Sequence, residues 1–313
     1  MSALRLCALA VLLASGLAFA VDDAVVVTAV RDPVKKSYRK MLEGAALFEA
    51  RRAELAPAAA LRFKLIARKP GTRLEGVELK VEAGSLAIPL RVASDRTFAI
   101  ERDAAALKED ADVIPNRRAG SLTWRADVRT PGVPGDARRL GDLRLECEAG
   151  MKSGLISNYP AGFFGWLEEL FGKGVEFCHR AAPRYLFFAE RALWSVTLVD
   201  GERREVLPVE RLYAGAANDP KWKQDRFCDC EAIFERTYFV PLGDASWPHD
   251  TRVELESMDQ PGEAGLDTTK EMVRSALGEG VALDFASGYE VRVYPGIVFL
   301  FDPAGSLAKA RAR

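Results

Sequence analysis

The sequence predicts a mainly β fold: an antiparallel, sandwich-like N-terminal domain, a second β-rich region, and a small α+β module at the C-terminus. Three observations carry that expectation. From Leu61 to Gly150, apolar and polar residues alternate with period two over short runs, and turn residues separate the runs. A similar alternation returns after Tyr185. The segment 266–313 then switches to a short capped helix, two alternating strands and a basic end.

Residues 1–20 read as a cleavable signal peptide. Arg5 gives the positive start, Leu6 to Leu17 the apolar stretch, and Ala18-Phe19-Ala20 an A-x-A cleavage site. The apolar run is too short to span a bilayer once cleaved. No Cys stands directly after the cleavage site, where Val21-Asp22-Asp23 begins, and Cys7 lies inside the apolar stretch, so no lipid attachment is expected. The expected location is therefore periplasmic or secreted, without a transmembrane anchor.

The N-terminal domain is expected over 24–150. Residues 33–56 form a helix: Tyr38, Met41, Leu42, Ala45, Ala46 and Phe48 recur near helical spacing, and Pro57 ends it. LRFKLIARK, GVELKVEAG, LAIPLRVAS and RTFAIER then read as strands, separated by Pro70-Gly71, Gly76, Ala83-Gly84 and Ser94-Asp95. SLTWRADVRT is a further strand. After the Pro131-Gly132 and Pro134-Gly135 loop, LGDLRLECEAG resumes the strand pattern. Short strands at close spacing predict an antiparallel sandwich.

Residues 151–262 form the second region, β-rich and disulfide-linked. It opens on an aromatic segment carrying Tyr159, Phe163, Phe164, Trp166 and Phe171, either an amphipathic helix or a loop packed by its own rings. These five residues are the candidate binding surface. Asp200-Gly201 between two alternating runs marks a hairpin. CDCEAIFERTYFVPL and HDTRVELESMD supply further strands.

Composition excludes some classes. The 44 basic residues balance 45 acidic ones, so nothing favours nucleic acid, which demands a basic face. Outside the signal peptide four cysteines remain, Cys147, Cys178, Cys228 and Cys230, an even number that reads as two disulfides in an exported chain. Three pairings exist. A Cys228–Cys230 bond closes a tight, strained ring, so the favoured expectation joins both to Cys147 and Cys178. Cys178, His179, Cys228 and Cys230 also form a four-ligand zinc set on paper, but zinc needs thiolates that an oxidising compartment removes.

Other chemistry is sparse. There are two histidines, His179 and His249. His249-Asp250 are sequence neighbours, which point to opposite faces of a strand. No G-x-S-x-G frame and no Gly-rich phosphate loop occurs. Glu168-Glu169 lies among the aromatics of 163–171, where carboxylates beside rings fit a sugar cleft, but a solvated acidic helix face is the simpler reading. No cofactor and no metal is expected.

In 263–313, Asp267-Thr268-Thr269 is a helix start, with Glu271 placed for a capping box. Met272, Val273, Ala276 and Leu277 give an apolar stripe and Gly278 stops the helix. Tyr289, Val291 and Val293 alternate with polar residues, and 297–301 is apolar on both faces. Asp302 to Gly305 is a turn. This order resembles the SmpA/OmlA-type domain of bacterial outer-membrane lipoproteins, with matching positions at Thr269, Val273, Leu277-Gly278, Tyr289, Phe299, Asp302 and Gly305. The Pro usual after the helix-ending Gly and the lipid anchor are both missing. The resemblance implies an interaction module of the cell envelope.

Together these readings predict an exported, non-catalytic envelope protein that works by binding an envelope or secreted protein partner. A secreted inhibitor of a hydrolase is the alternative, and a carbohydrate-active enzyme using Glu168 or Glu169 a more remote one.

Overall fold

In the computed structural model, residues 34–155, 174–180, 183, 185–215, 234–260 and 268–313 are described. Helix α1, Tyr38–Leu55, starts where the Ser37 hydroxyl accepts from the Lys40 amide. It ends at Ala56, just before Pro57. Its buried residues, Tyr38, Met41, Gly44, Phe48 and Leu55, follow helical spacing and mark the inner stripe.

Two antiparallel sheets face α1. One orders β1 (Lys36–Ser37), β6 (Asp112–Pro115), β3 (Leu79–Ala83) and β4 (Leu86–Leu90). The other orders β5 (Thr97–Phe98), β2 (Ala60–Ala67) and β7 (Leu122–Arg129). A one-turn helix α2, Ala104–Lys108, capped by Asp103, links β5 to β6. Phe63 and Leu65 of β2, Leu79 and Val81 of β3, Val113 of β6 and Trp124 of β7 meet Tyr38 and Met41 in one core. The strands alternate as expected, but RTFAIER pairs only over Thr97–Phe98, and β6 and α2 carried too little pattern to be read.

The alternation of β2 and β7 has a second consequence. Phe63 and Leu65 face the core, so Lys64 points the other way, opposite Arg125 in the ladder. Arg125 is nonetheless buried. Over this charged sheet face lies the two-stranded pair β9 (Phe187–Phe188) and β12 (Thr237–Tyr238), with Phe188 against Arg125 and a cleft beside it.

The largest correction concerns LGDLRLECEAG. It is not a strand but the body of helix α3, Leu140–Lys152, preceded by strand β8 at Ala137–Arg139. Eleven of its thirteen residues are buried. Three stripes at i, i+4 spacing each find a different partner. Leu143, Cys147 and Met151 enter the main core, and Leu145 and Ala149 pack on α1. Asp142 and Glu146 accept from polar groups: Asp142 from Thr130, and Glu146 from the Val128 amide and the Arg138 guanidinium. A helix buried all round shows no single apolar face, and L-R-L-E-C-E then mimics a strand.

Glycine makes that burial geometrically available. A Cβ at Gly44 would strike Ser153 Oγ and Ala149 O across the α1–α3 seam. One at Gly141 would strike Leu55 O, and one at Gly150 the Tyr185 hydroxyl.

Beyond α3, a sheet orders β11 (Arg203–Val206), β10 (Leu193–Asp200), β13 (Arg252–Ser257) and β8. The expected hairpin closes β10 onto β11 with Asp200 opposite Arg203 and Gly201 at φ 57°. The C-terminal segment is helix α4, Lys270–Leu277, followed by the meander β14 (Val281–Asp284), β15 (Glu290–Tyr294), β16 (Ile297–Phe301) and β17 (Leu307–Ala312). Strands β14 and β17 complete a four-stranded sheet. Strand β16 is apolar on both faces for a visible reason. Val298 and Leu300 join Val291 and Val293 in the main core, while Phe301 packs with Tyr294 and Val273 under α4. The Lys309 ammonium ties β17 to Glu256 Oε1 at 2.6 Å on β13.

The protein is thus mainly β, with antiparallel sheets throughout and four α-helices among the described residues. No helix among them is long and apolar enough to cross a membrane.

Candidate functional site

The residues flagged from sequence fall in two groups. The aromatic set, Tyr159, Phe163, Phe164, Trp166 and Phe171, with Glu168 and Glu169, lies outside the described residues, as do Cys228 and Cys230. Cys147 and Cys178 are described, and they bond to each other, with Cα atoms 5.9 Å apart. This overturns the expected pairing of each with the Cys228/Cys230 pair. Cys147 lies on the face of α3 turned to the main core, and the single-turn 3-10 helix Val175–His179 brings Cys178 against it. Spacing along the chain gave no hint of that approach. The paper zinc set also loses a ligand, because Cys178 has no thiolate to give. Among the described residues no three His, Cys, Asp or Glu side chains gather as a metal-ligating group.

The C-terminal arm, α4 plus β14, is largely exposed. Thr269 Oγ1 accepts from the Met272 amide at 3.4 Å, and Gly278 ends the helix at φ 83°. Of eight helical residues only Val273 is buried. Met272 (56%), Leu277 (51%) and Val281 (44%) are three of the four large apolar side chains that stand exposed among the described residues. Strand β14 is an edge, bonded only to β15, with one side of its backbone open to further pairing.

The arm is nonetheless firmly placed. Tyr294 donates to Gly278 O at 2.9 Å, Lys270 to Glu290 Oε2 at 2.6 Å, and Arg292 to both Glu279 O and Glu290. Burial pushes the Glu290 carboxyl up, but the bonds from Lys270 and Arg292 outweigh it and hold the group below the usual carboxylate range. Exposed apolar side chains on a hydrogen-bonded helix and a free strand edge are features that protein partners recognise.

A second place emerges that sequence reading missed. Both histidines line one cleft of about 360 Å³ beside the disulfide. Glu148 and His179, each next to a bonded cysteine, meet at 3.4 Å, and Arg51 donates to both Glu148 oxygens. Arg144 donates to His249 Nδ1 at 2.8 Å while its other nitrogens are held by the carbonyls of Leu242, Asp244 and Trp247. Arginine has no acceptor, so Nδ1 must accept and the imidazole proton sits on Nε2. Burial, then the Arg144 charge, push the His249 pKa below its ordinary value. The described lining gathers two imidazoles and two carboxylates, Glu54 and Glu148, groups that hold and move protons. The one sequence signal for it was the scarcity of histidine itself.

Comparison with known proteins brings no relative to these surfaces: no family model, curated protein or solved structure matches the chain.

Proposed function

We propose that this chain is an exported envelope protein that acts by binding another protein through its C-terminal arm. The reading rests above all on one observation: Met272, Leu277 and Val281 stand exposed on an ordered arm that ends in a free strand edge. Three further facts support it. The N-terminal twenty residues have the pattern of a cleaved leader. The Cys147–Cys178 bond fits an oxidising compartment. The arm is also the segment whose residues resemble an envelope interaction module. The aromatic set around Trp166 is a second expected contact.

The test uses the full chain expressed with its leader and a C-terminal tag. Cross-linking in the envelope, followed by purification, is compared between the native chain and Met272→Glu with Val281→Lys. Loss of a specific adduct in the variant supports the arm as the contact. Recovery of the same adducts from both chains overturns it, as does accumulation of unprocessed chain in the cytosol.

A further inference from the structure

A cleft of about 230 Å³ opens between the charged face of the β2–β7 sheet and the β9–β12 pair. That is room for several waters or a small organic molecule. Seven cationic and only four acidic side chains line it, in a chain whose formal net charge is −1. Cations are concentrated here against the average of the molecule.

The acids are already used. Glu190 bonds to both Lys64 (2.7 Å) and Arg96 (2.9 Å), Asp127 to Arg129 (2.9 Å), and Glu146 to Arg138 (2.6 Å). Glu75 makes no ion pair among those found in the described residues. Lys69, on the exposed Pro70-Gly71 turn, and Arg236, on the opposite wall, are left without a carboxylate among the described residues.

Moreover, the buried Nε–H groups of Arg138 and Arg236 find no acceptor among the described residues. These two nitrogens are closed to solvent, so what the cleft offers a ligand is the charge of both guanidinium groups rather than these N–H bonds. Arg125 also lines the cleft, its guanidinium over the rings of Tyr185 (4.8 Å) and Phe188 (5.1 Å). Backbone pairing fixes the walls: the Ala189 amide donates to Arg236 O at 2.8 Å, and Lys64 pairs with Arg125 across β2 and β7. A preset, half-enclosed cation cluster focuses field lines on whatever anion enters it.

We infer that this cleft is a binding site for a small organic oxyanion, a phosphate monoester or a dicarboxylate, gripped between Lys69 and Arg236 with Arg125 at its floor. It is separate from the C-terminal arm and stands or falls independently of the partner-binding proposal.

Calorimetric titration of the full oxidised chain, with inorganic phosphate and separately with succinate, tests it. Saturable binding of either probe is expected, and the stronger of the two names the ligand group. Arg236→Gln should weaken binding by about tenfold or more, the loss of one charge-assisted bond. Lys69→Gln, at an exposed turn that cannot disturb the core, should weaken it several-fold and keep the melting temperature unchanged. No saturable binding of either probe up to ~20 mM, the range where affinity becomes trivial, overturns the inference. So does binding that is equal in the native chain and Lys69→Gln.

Discussion

Helix α3 buries eleven of its thirteen residues, while α4 buries one of eight. The first is joined to the rest of the molecule by a disulfide, a buried ion pair and two apolar stripes. The second is held by its caps, one valine and a fringe of hydrogen bonds. Burial on every side demands that polar residues such as Asp142 and Glu146 be matched one by one, because an unmatched buried charge is expensive. Exposure asks only for helix propensity and caps. Helix α3 is therefore a structural axis shared by two cores, and α4 is a surface free to serve something else.

The contrast breaks first, if it breaks, at the ion pair. Glu146→Ala leaves Arg138, 2% exposed, without its carboxylate and should cost about 3–5 kcal/mol in urea unfolding. A loss under ~1 kcal/mol would show that water reaches the helix and that its polar stripe is not a true interior.

Removing the covalent link comes next. Cys147 and Cys178 lie 31 residues apart, and loop-closure entropy assigns such a bond about 3–4 kcal/mol. Cys147→Ser with Cys178→Ser should lower the unfolding free energy by that amount and expose the His179–Glu148 pair to exchange. An unchanged midpoint would mean that the pair and the core hold the 3-10 turn unaided.

On the α4 side the effects shrink and acquire a pH dependence. Glu290, held by Lys270 and Arg292, has a folded-state pKa below the ordinary ~4.3. Its stabilisation is therefore present above that value and lost as the pH falls through the lower folded-state value. Glu290→Gln should cost about 1–2 kcal/mol near neutrality. The gap between the two chains should close on acidification below pH ~4. A gap that stays constant would show that packing, not charge, anchors the arm.

Smallest of all, Met272→Glu should change stability by no more than ~0.5 kcal/mol, since the side chain is 56% exposed. A larger loss would place Met272 in a core that the arm does not visibly have.

The same contrast explains what could be read in the sequence. The Thr269 cap, the Gly278 stop and the two-faced apolar strand at 297–301 were legible because each is local chemistry with a near-neighbour cause. So was the Asp200-Gly201 hairpin. Helix α3 was not: three partners on three sides erased its period, and LRLECE carried a false one. The Cys147–Cys178 bond and the placing of His179 and His249 on one cleft depend on how distant segments pack, which no spacing encodes. The burial of Arg125 on β7 is likewise a matter of distant packing, since Tyr185 and Phe188 lie against it.

The glycines at the α3 seam bear on how this chain can drift. Gly44, Gly141 and Gly150 each stand where any side chain would collide with backbone or a buried hydroxyl. Surface strands, the arm and even the ion pairs can be rewritten by compensating changes, but Gly44 and Gly141 face backbone carbonyls, and Gly150 admits a side chain only if Tyr185 changes with it. A remote descendant of the same ancestor should therefore keep glycine at these three places, one in the first helix and two nine residues apart in the third, after every other recognisable letter has gone. That spacing, rather than any motif at a site, is the signature by which such a relative would be found.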